Sequence, residues 1–309
     1  MSAPRLTVIL CTHNPRVDYF ARTLAALRAQ TLPASAWEFL VVDNASQPPL
    51  VPASLSAAHP GARVVVEPAL GLTHARLRGI AEARADILAW VDDDNLLEAG
   101  YLAQALALAD ENPGLGVWGC GNFTPEWETP PPPEFTPYLA YLAVGSRTED
   151  CVSSAPFAYD ALPAGAGLCV RAAVARHYAA KVRADPRRLA LGRTGEGLGA
   201  CEDFDLGQSA IALGLSTGVF TRLALTHLMP AGRVREDYLQ RLVEGHARSS
   251  VLLHHLYGHG RLPSQGLIAG LRRWRYRQSL SPVDRRIDLA RQRGERAALR
   301  ELAAAQTSS

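Results

Sequence analysis

Short apolar segments alternate with helical patterns through the first 120 residues, and this alternation limits the folds open to the chain. Short apolar runs that end in turn-forming residues are typical of strands buried on both faces. Strands separated by helices predict an α/β fold, with a mostly parallel central sheet and helices on both faces. The expected strands are 6–11, 39–42, 62–66, 87–91 and 116–120, and the expected helices are 20–29, 72–85 and 101–109.

The chain changes character between residues 122 and 163, where proline and aromatic residues are frequent. This composition predicts a long extended loop with one short helix near 138–144. The α/β pattern then resumes, and from Asp237 onward the pattern is helical, with breaks near 258–260 and Pro282. The later elements are expected as strands at 166–170, 217–220 and 223–227, and as helices at 174–182 and after Glu202.

The charge of the chain is unevenly distributed, although the formal net charge is only +2. Residues 1–230 hold 17 basic and 23 acidic residues, whereas residues 231–309 hold 15 Arg and 7 acidic residues. The acidic front part argues against a nucleic acid ligand, because phosphate backbones are bound by an excess of positive charge. We expect a catalytic domain at 1–230, with a donor half at about 1–121 and an acceptor half at about 122–230, followed by a helical region at 231–309.

The cysteines and the start of the chain bear on its compartment. The five cysteines are scattered and form no CxxC pair, which indicates free thiols in a reducing compartment. The first residues lack the apolar core of a signal peptide, and no stretch reaches the roughly 18 apolar residues of a membrane span. We therefore expect a cytoplasmic protein, with peripheral contact at the inner face of the membrane as the alternative.

Polar residues follow the apolar segments at three strand ends, namely at Thr12, at Asp43 and at the cluster Asp92-Asp93-Asp94. In open α/β sheets the ligand binds beyond the carboxyl ends of the strands. Adjacent carboxylates repel one another, and a cation such as Mg²⁺ relieves that repulsion while it also binds substrate phosphates. A solvated acidic turn is the alternative for the cluster taken alone, but its place after a buried strand favours a cation site.

Two further features bring polar groups to the same edge of the predicted sheet. Glu202 and Asp203 open a helix, where acids suit the helix dipole and where paired carboxylates also supply general bases. His227 ends an apolar strand, and a single histidine there is either structural or a ligand of metal or phosphate. The Gly-Ala-Gly segment at 165–167 lacks the GxGxxG spacing, so we interpret it as a close-packed loop near the substrate.

Five segments, taken together, resemble the family 2 glycosyltransferases of the GT-A fold. They are L-T-V-I-L-C-T-H-N at 6–14, F-L-V-V-D-N-A-S at 39–46, G-L-T-H-A-R-L-R-G at 71–79, W-V-D-D-D-N at 90–95 and C-E-D-F-D-L at 201–206. They occur in the order of the family and cover roughly residues 5–230. The resemblance implies an inverting, metal-assisted enzyme. It would use Mg²⁺ or Mn²⁺ to transfer a sugar from a UDP-, GDP- or dTDP-sugar to a saccharide or lipid-linked acceptor.

The resemblance also implies a role for each residue of the site. The nucleotide contacts would be Thr12, Asn14, Asp43, Arg76, Asp92 and Asp93. Asp92 would face the ribose, whereas no specific contact is assigned to Asp93. Asp94 would be the main protein ligand of the metal, with His227 as a second candidate ligand. Asp203 would be the catalytic base, with Glu202 beside it.

The chain departs from the family pattern at two places. Leu77 stands where the family often has Asn, and Gly270 stands where the Q-x-x-R-W motif of processive members has Gln. The second departure predicts transfer of a single sugar. Two other functions stay open. One is a nucleotidyltransferase acting on sugar phosphates, and the other is a non-catalytic protein that binds sugar nucleotides or polysaccharide.

The segment 261–300 is strongly basic, with 11 Arg and 3 acidic residues. Apolar residues such as Leu271 and Trp274 alternate there with arginines. One interpretation is a solvated helix packed on the catalytic domain. The other is docking at an anionic membrane surface, close to a lipid-linked acceptor.

Overall fold

The computed structural model describes residues 3–52, 55–195, 197–259 and 267–307. Ten strands in these residues form one sheet. They are β1 (Leu6–Thr12), β2 (Trp37–Asp43), β3 (Arg63–Val66), β4 (Ile87–Asp92), β5 (Asn95–Leu97), β6 (Leu115–Trp127), β7 (Gly145–Ser146), β8 (Cys151–Ser153), β9 (Cys169–Arg171) and β10 (Ser216–Met229).

The α-helices cover the sheet and continue beyond it. They are α1 (Val17–Arg28), α2 (Leu72–Glu82), α3 (Tyr101–Glu111), α4 (Ala172–Ala184), α5 (Glu202–Ala212), α6 (Glu236–Leu256), α7 (Leu267–Gln278) and α8 (Pro282–Thr307). Short 3₁₀ helices lie at Ala34–Ala36, Pro133–Leu142, Tyr159–Ala161, Pro186–Leu191 and Ala231–Val234. The break predicted near 258–260 falls partly on residue 260, which lies outside the described residues.

Alternate residues of β1 face two separate cores, as expected for a strand covered on both sides. Leu6, Val8 and Leu10 pack in a core that includes residues of α1 and α3. Ile9 and Cys11 pack in the other core, which includes residues of α2, α4 and α5. The expected α/β architecture with helices on both faces is thus confirmed.

The sheet is mixed, with the strand order β3-β2-β1-β4-β9-β6-β10-β5. The pairs β2–β3, β1–β2, β1–β4 and β6–β10 are parallel. β9 runs antiparallel to both of its neighbours, β4 and β6. The predicted parallel pairing is thus found among β1 to β4 and between β6 and β10. The antiparallel strand β9 lies between these two groups.

The expected extended loop at 122–163 differs from the structure at its start, because β6 continues to Trp127. Pro125 lacks a backbone N–H, but a strand tolerates proline where it is paired on one side only. The pairing described at Pro125 is with β10, where it lies opposite His227.

Strand β10 is one strand where the sequence predicted two. A bulge between Phe220 and Ala224 bends it, and the Thr221 amide and hydroxyl there donate to Asp150 at 2.7 and 2.8 Å.

Helices α6 and α8 pack side by side and run in the same direction. Three ion pairs follow one another along the two helices, in the order Arg286 with Glu236, Arg293 with Glu244, and Arg248 with Glu301. Apolar residues of both helices, such as Leu253 of α6 and Leu302 of α8, share a core with Leu191 and Cys201 of the preceding domain. Among the described helices, none has the length and apolar character needed to cross a membrane.

At Gly294 the backbones of α8 and α6 lie close together, because a Cβ added there would overlap the Glu244 carbonyl oxygen. We expect Gly294→Ala to lower the free energy of unfolding by about 1–3 kcal/mol, since the overlap outweighs the gain of about 1 kcal/mol in helix propensity. Urea unfolding at equilibrium measures this change.

Gly270→Ala is the matched control for that substitution. Gly270 lies in α7, and a Cβ there would meet nothing within 4 Å among the described residues. The control should therefore leave the protein equally stable or more stable. Equal stability of the two variants would contradict the packing of α8 on α6.

Candidate active site

A cavity of about 620 Å³ opens at the carboxyl ends of β1 and β4, which is a common size for a ligand pocket. Eight of the ten residues predicted for the site line it, namely Thr12, Arg76, Asp92, Asp93, Asp94, Glu202, Asp203 and His227. Asn14 and Asp43 are not among the lining residues. The structure therefore brings most of the predicted polar groups into one pocket.

The parallel register of β1 and β4 places Thr12 beside the acidic cluster. Cys11 lies opposite Asp92 in this register, so Thr12 comes to lie beside Asp93. The Thr12 hydroxyl donates a hydrogen bond to the Asp93 carboxylate. Burial nevertheless raises the pKa of Asp93 to about 6, because the Thr12 hydrogen bond only partly opposes it and the charges of Asp94 and Asp92 add to it.

Asp94 is 7% exposed and has three polar partners. The Asn95 amide donates to its Oδ1 at 2.9 Å, and the Arg233 guanidinium donates to its Oδ2 at 2.7 Å. Nε2 of His227 lies 3.5 Å from Oδ1. Burial opposes ionisation, but the charge of Arg233 and the contact with His227 prevail and hold the pKa of Asp94 below its usual range.

The antiparallel pairing of β5 with β10 brings His227 to Asp94. His227 lies opposite Asn95 in this pairing, and the Leu228 amide donates to the Asp94 carbonyl oxygen at 2.9 Å. Nδ1 of His227 lies 3.2 Å from the Ala143 carbonyl oxygen. A proton on Nδ1 satisfies that carbonyl, and it leaves the lone pair of Nε2 to accept from Nη1 of Arg233, which lies 3.1 Å away.

Asp43 and Asn14 hold the turn that follows β2. The Asp43 carboxylate accepts hydrogen bonds from the Ser46 amide at 3.0 Å and from the Leu50 amide at 2.8 Å. Oδ1 of Asn14 accepts one from the Gln47 amide at 2.8 Å. These bonds fix the shape of the rim beside the cavity, and direct contact of either residue with a nucleotide stays a prediction.

Arg76 and Glu202 form a buried ion pair at the same cavity. Nη1 of Arg76 lies 3.1 Å from Oε1 of Glu202, and the two side chains are 3% and 7% exposed. The guanidinium also lies over the Trp90 ring, 4.8 Å from its centroid. Glycine at position 165 leaves room for this guanidinium, because a Cβ on Gly165 would lie 2.5 Å from Nη2 of Arg76.

Asp203 lies in the first turn of α5, and two backbone amides orient its carboxylate. The Gly165 amide donates to Oδ2 at 2.9 Å, and the Phe204 amide donates to Oδ1 at 2.8 Å. Burial and the negative charge of Glu202 raise the pKa of Asp203 to about 7, although Arg76 and these amides oppose the shift. A carboxylate with a pKa near neutrality is suited to proton transfer at physiological pH.

The cavity offers two protein donors to a divalent cation, a carboxylate oxygen of Asp94 and Nε2 of His227. Within the described ranges, no group of three or more His, Cys, Asp and Glu side chains has a geometry that could hold a metal. Two donors still fit Mg²⁺ or Mn²⁺, because such ions in phosphate sites take one or two protein ligands and complete their shell with substrate oxygens and water.

Sequence reasoning missed several residues that line the cavity. They are Arg193, Arg233, Tyr141, Phe204, Tyr238 and His246. Arg233 had a detectable signal, since it follows the predicted strand end at His227 after the turn formers Pro230 and Gly232. Tyr238 and His246 had none, because α6 reaches the cavity only through tertiary packing.

Residues 7–135 match the family described as Glycosyl transferase family 2. Over this segment the chain is similar to the family 2 glycosyltransferases. The segment includes β1, β4 and the acidic cluster, and the resemblance drawn from the sequence is confirmed. Glu202, Asp203, His227 and Arg233 lie beyond the matched segment. A comparison with proteins of curated function finds no match.

Several solved structures share the fold of this chain. S. aureus TarS is 15% identical with a TM-score of 0.51, and it matches over 93% of this chain, which spans only 50% of the length of that protein. S. aureus TarS 1–349 in complex with UDP-GlcNAc is 15% identical with a TM-score of 0.50, over 95% of this chain and 89% of the other.

A third similar structure is the mannosyltransferase PcManGT from Pyrobaculum calidifontis in complex with GDP-Man and Mn²⁺. It is 18% identical with a TM-score of 0.52, over 100% of this chain and 76% of the other. At these identities the likeness concerns the fold, and it confirms the expected GT-A architecture.

The ionisation of Asp203 is open to direct measurement. We expect Glu202→Gln to lower the pKa of Asp203 below 7, because it removes the neighbouring negative charge and leaves that of Arg76 in place. Carbon-13 NMR of carboxyl-labelled aspartate measures the titration, and the spectrum of Asp203→Asn assigns the signal. Glu111→Gln is the control, since Glu111 pairs with Arg222 on the surface away from the cavity. An unchanged titration in Glu202→Gln would refute the electrostatic coupling.

Proposed function

We propose that this chain is an inverting, metal-assisted glycosyltransferase that moves one sugar from a nucleoside-diphosphate sugar to a hydroxyl acceptor. The observation that carries the proposal is the cavity itself, which joins a carboxylate with a pKa of about 7, Asp203, to the cation donors Asp94 and His227. The family of residues 7–135 supports sugar transfer. Neighbours of the same fold that bind UDP-GlcNAc and GDP-Man support a nucleotide-sugar donor.

Asp203 is the proposed base. It takes the proton of the acceptor hydroxyl as that oxygen forms a bond to the anomeric carbon, while the bond from this carbon to the diphosphate oxygen breaks. A single displacement of this kind inverts the anomeric centre. The Gly165 and Phe204 amides hold the carboxylate in place, and Glu202 keeps its pKa near neutrality.

Asp94 and His227 are the proposed protein ligands of a divalent cation. The bound cation would supply positive charge to the leaving nucleoside diphosphate. Asp94 is suited to this role because its lowered pKa keeps it ionised across the physiological range. Thr12 and Asp92 line the same cavity, and we place the nucleotide beside them.

Aromatic side chains line the cavity near Asp203, where we place the acceptor. Phe204 follows the base directly, and the His246 ring meets the rings of Tyr141 and Phe204 edge-on at 5.1 and 6.5 Å. Burial lowers the pKa of His246, so its ring is neutral near pH 7. Such a surface suits the apolar face of a sugar ring, which favours a saccharide or a lipid-linked saccharide as acceptor. The Gly at position 270 favours a single transfer over processive synthesis.

A nucleotidyltransferase and a non-catalytic sugar-nucleotide or polysaccharide-binding protein are the alternative functions. The first strand of a nucleotidyltransferase normally leads into a glycine-rich basic loop, whereas β1 leads here into Thr12-His13-Asn14-Pro15. A purely binding protein has no use for the buried arrangement that raises the pKa of Asp203. Both alternatives are therefore less well supported than sugar transfer.

Asp203→Asn tests the proposed function most directly. We expect it to lower turnover by about 10²–10⁴-fold, because the amide cannot accept the acceptor proton. Donor affinity should change by no more than about twofold, since the amide is isosteric. The assay measures nucleoside diphosphate release from UDP-, GDP- and dTDP-sugars with Mn²⁺ or Mg²⁺, and a thermal-shift screen measures donor binding.

Asp160→Asn is the control, because Asp160 is exposed and pairs with Arg147 outside the cavity. Loss of donor binding in Asp203→Asn would contradict its role as the base. Failure of every donor to bind or to react with the unaltered protein would refute the enzyme.

Helix α7 supports peripheral contact with an anionic membrane as part of the proposal. Leu271, Trp274 and Tyr276 are 58%, 55% and 58% exposed, which is unusual for three large apolar side chains on one helix. Arg272 and Arg275 are exposed between them. Apolar side chains flanked by arginines are typical of helices that lie at an anionic lipid surface.

Co-sedimentation with vesicles tests this contact. We expect binding to vesicles that contain phosphatidylglycerol but not to pure phosphatidylcholine, and a loss of at least fivefold for Arg272→Gln with Arg275→Gln (about 1 kcal/mol per charge). Arg296→Gln with Arg300→Gln is the control, since it removes the same charge from exposed positions of α8. Equal binding of both double variants would rule out docking through α7.

A further inference from the structure

Arg233 lies in the 3₁₀ helix Ala231–Val234, directly after β10, and its guanidinium bridges the two proposed metal ligands. Nη2 donates to Oδ2 of Asp94 at 2.7 Å, and Nη1 lies 3.1 Å from Nε2 of His227. The side chain is 19% exposed and lines the cavity. A positive group of the protein therefore stands between the same two donors that a divalent cation would use.

The guanidinium and a metal ion compete for these atoms. The Nδ1 position of His227 faces the Ala143 carbonyl, so Nε2 has a single lone pair for either Arg233 or a metal. The carboxylate of Asp94 accepts one hydrogen bond at each oxygen, from the Asn95 amide and from Arg233, so the competition is strict only at Nε2. Binding of a cation at Asp94 and His227 thus requires the guanidinium to move away from Nε2.

A second ligand is available to the displaced guanidinium. Arg233 stays within reach of the cavity, and a planar guanidinium binds phosphate oxygens through two parallel hydrogen bonds. Without such a ligand, displacement would move a guanidinium that is only 19% exposed away from Nε2 of His227, while the cation neutralises Asp94, and the loss of pairing would be unfavourable. Displacement is therefore favourable only when a diphosphate enters together with the metal.

We propose that Arg233 competes with the cation for Asp94 and His227 and moves to the donor diphosphate when the metal–nucleotide complex binds. This inference rests on the proposed function, because it takes a nucleoside diphosphate as the incoming ligand. It makes metal binding and nucleotide binding strongly coupled. The free enzyme binds a divalent cation weakly, and the nucleotide raises the affinity for the cation.

Titration with Mn²⁺, followed by electron paramagnetic resonance of the free ion, tests the proposal without an activity assay. We expect Arg233→Gln to bind Mn²⁺ at least tenfold more tightly than the unaltered protein in the absence of nucleotide. Adding His227→Gln to that variant should reverse the gain, because it removes the nitrogen donor. Arg235→Gln is the control, since Arg235 is exposed and pairs with Asp237 two residues farther along the chain.

The nucleotide supplies a second readout. GDP or UDP should raise the affinity of the unaltered protein for Mn²⁺ at least tenfold, and this increase should be smaller in Arg233→Gln, where nothing has to be displaced. Inorganic pyrophosphate without metal should bind more weakly to Arg233→Gln, which has lost the guanidinium. Arg233→Lys should give an intermediate Mn²⁺ affinity, because it keeps the charge but loses the two-pronged contact.

The outcomes distinguish this inference from the proposed function. Equal Mn²⁺ affinities of Arg233→Gln and the unaltered protein would overturn the inference, provided that both unfold at the same temperature. If Arg233→Gln unfolds earlier, the Arg233→Lys titration decides in its place, and an affinity equal to that of the unaltered protein would overturn the inference. Tighter Mn²⁺ binding by Arg233→Gln, with no donor turned over by the unaltered protein, would uphold competition at the cation position and refute sugar transfer.

Discussion

Five carboxylates line one cavity, and the repulsion among them is the constraint on which the rest of the site depends. Asp92, Asp93 and Asp94 come from the end of β4, and Glu202 and Asp203 come from the start of α5. Burial of so many acids would be costly without positive partners. Two arginines provide them, because the buried Arg76 pairs with Glu202 and the partly buried Arg233 pairs with Asp94.

The placement of these arginines separates the acids by their ionisation. Asp94 has the closest contact with a guanidinium and remains charged at low pH. Asp203 has backbone amides instead of a guanidinium as direct partners, and it lies beside Glu202, so its pKa approaches neutrality. The low pKa of Asp94 suits it to bind a cation, and the pKa of Asp203 near neutrality suits it to accept and release a proton. This division is what the proposed transfer reaction requires of two carboxylates in the same cavity.

The first half of the fold could be predicted from the sequence because its signals are local. The apolar runs at β1, β2 and β4 are continuous, and turn-forming residues end them, so their boundaries were predicted to within two residues. The signals were weaker from residue 122 onward. Pro125 indicated a loop, but pairing with β10 keeps it in β6. The two short strands predicted at 217–227 are one, because a bulge is a feature of pairing and leaves no clear mark in the chain.

The sequence by itself determined the α/β fold, the family resemblance and the acidic residues at the strand ends, because strand periodicity and short motifs are encoded in consecutive residues. Only the tertiary structure decided what surrounds those residues. The approach of Arg233 to Asp94 joins positions 139 residues apart, and that of Arg76 to Glu202 joins positions 126 apart. Sheet register and helix packing set such contacts, and the ionisation of each carboxylate follows from them. The sequence thus identified the acids of the site, but which of them has a lowered pKa and which a raised one depended on the fold.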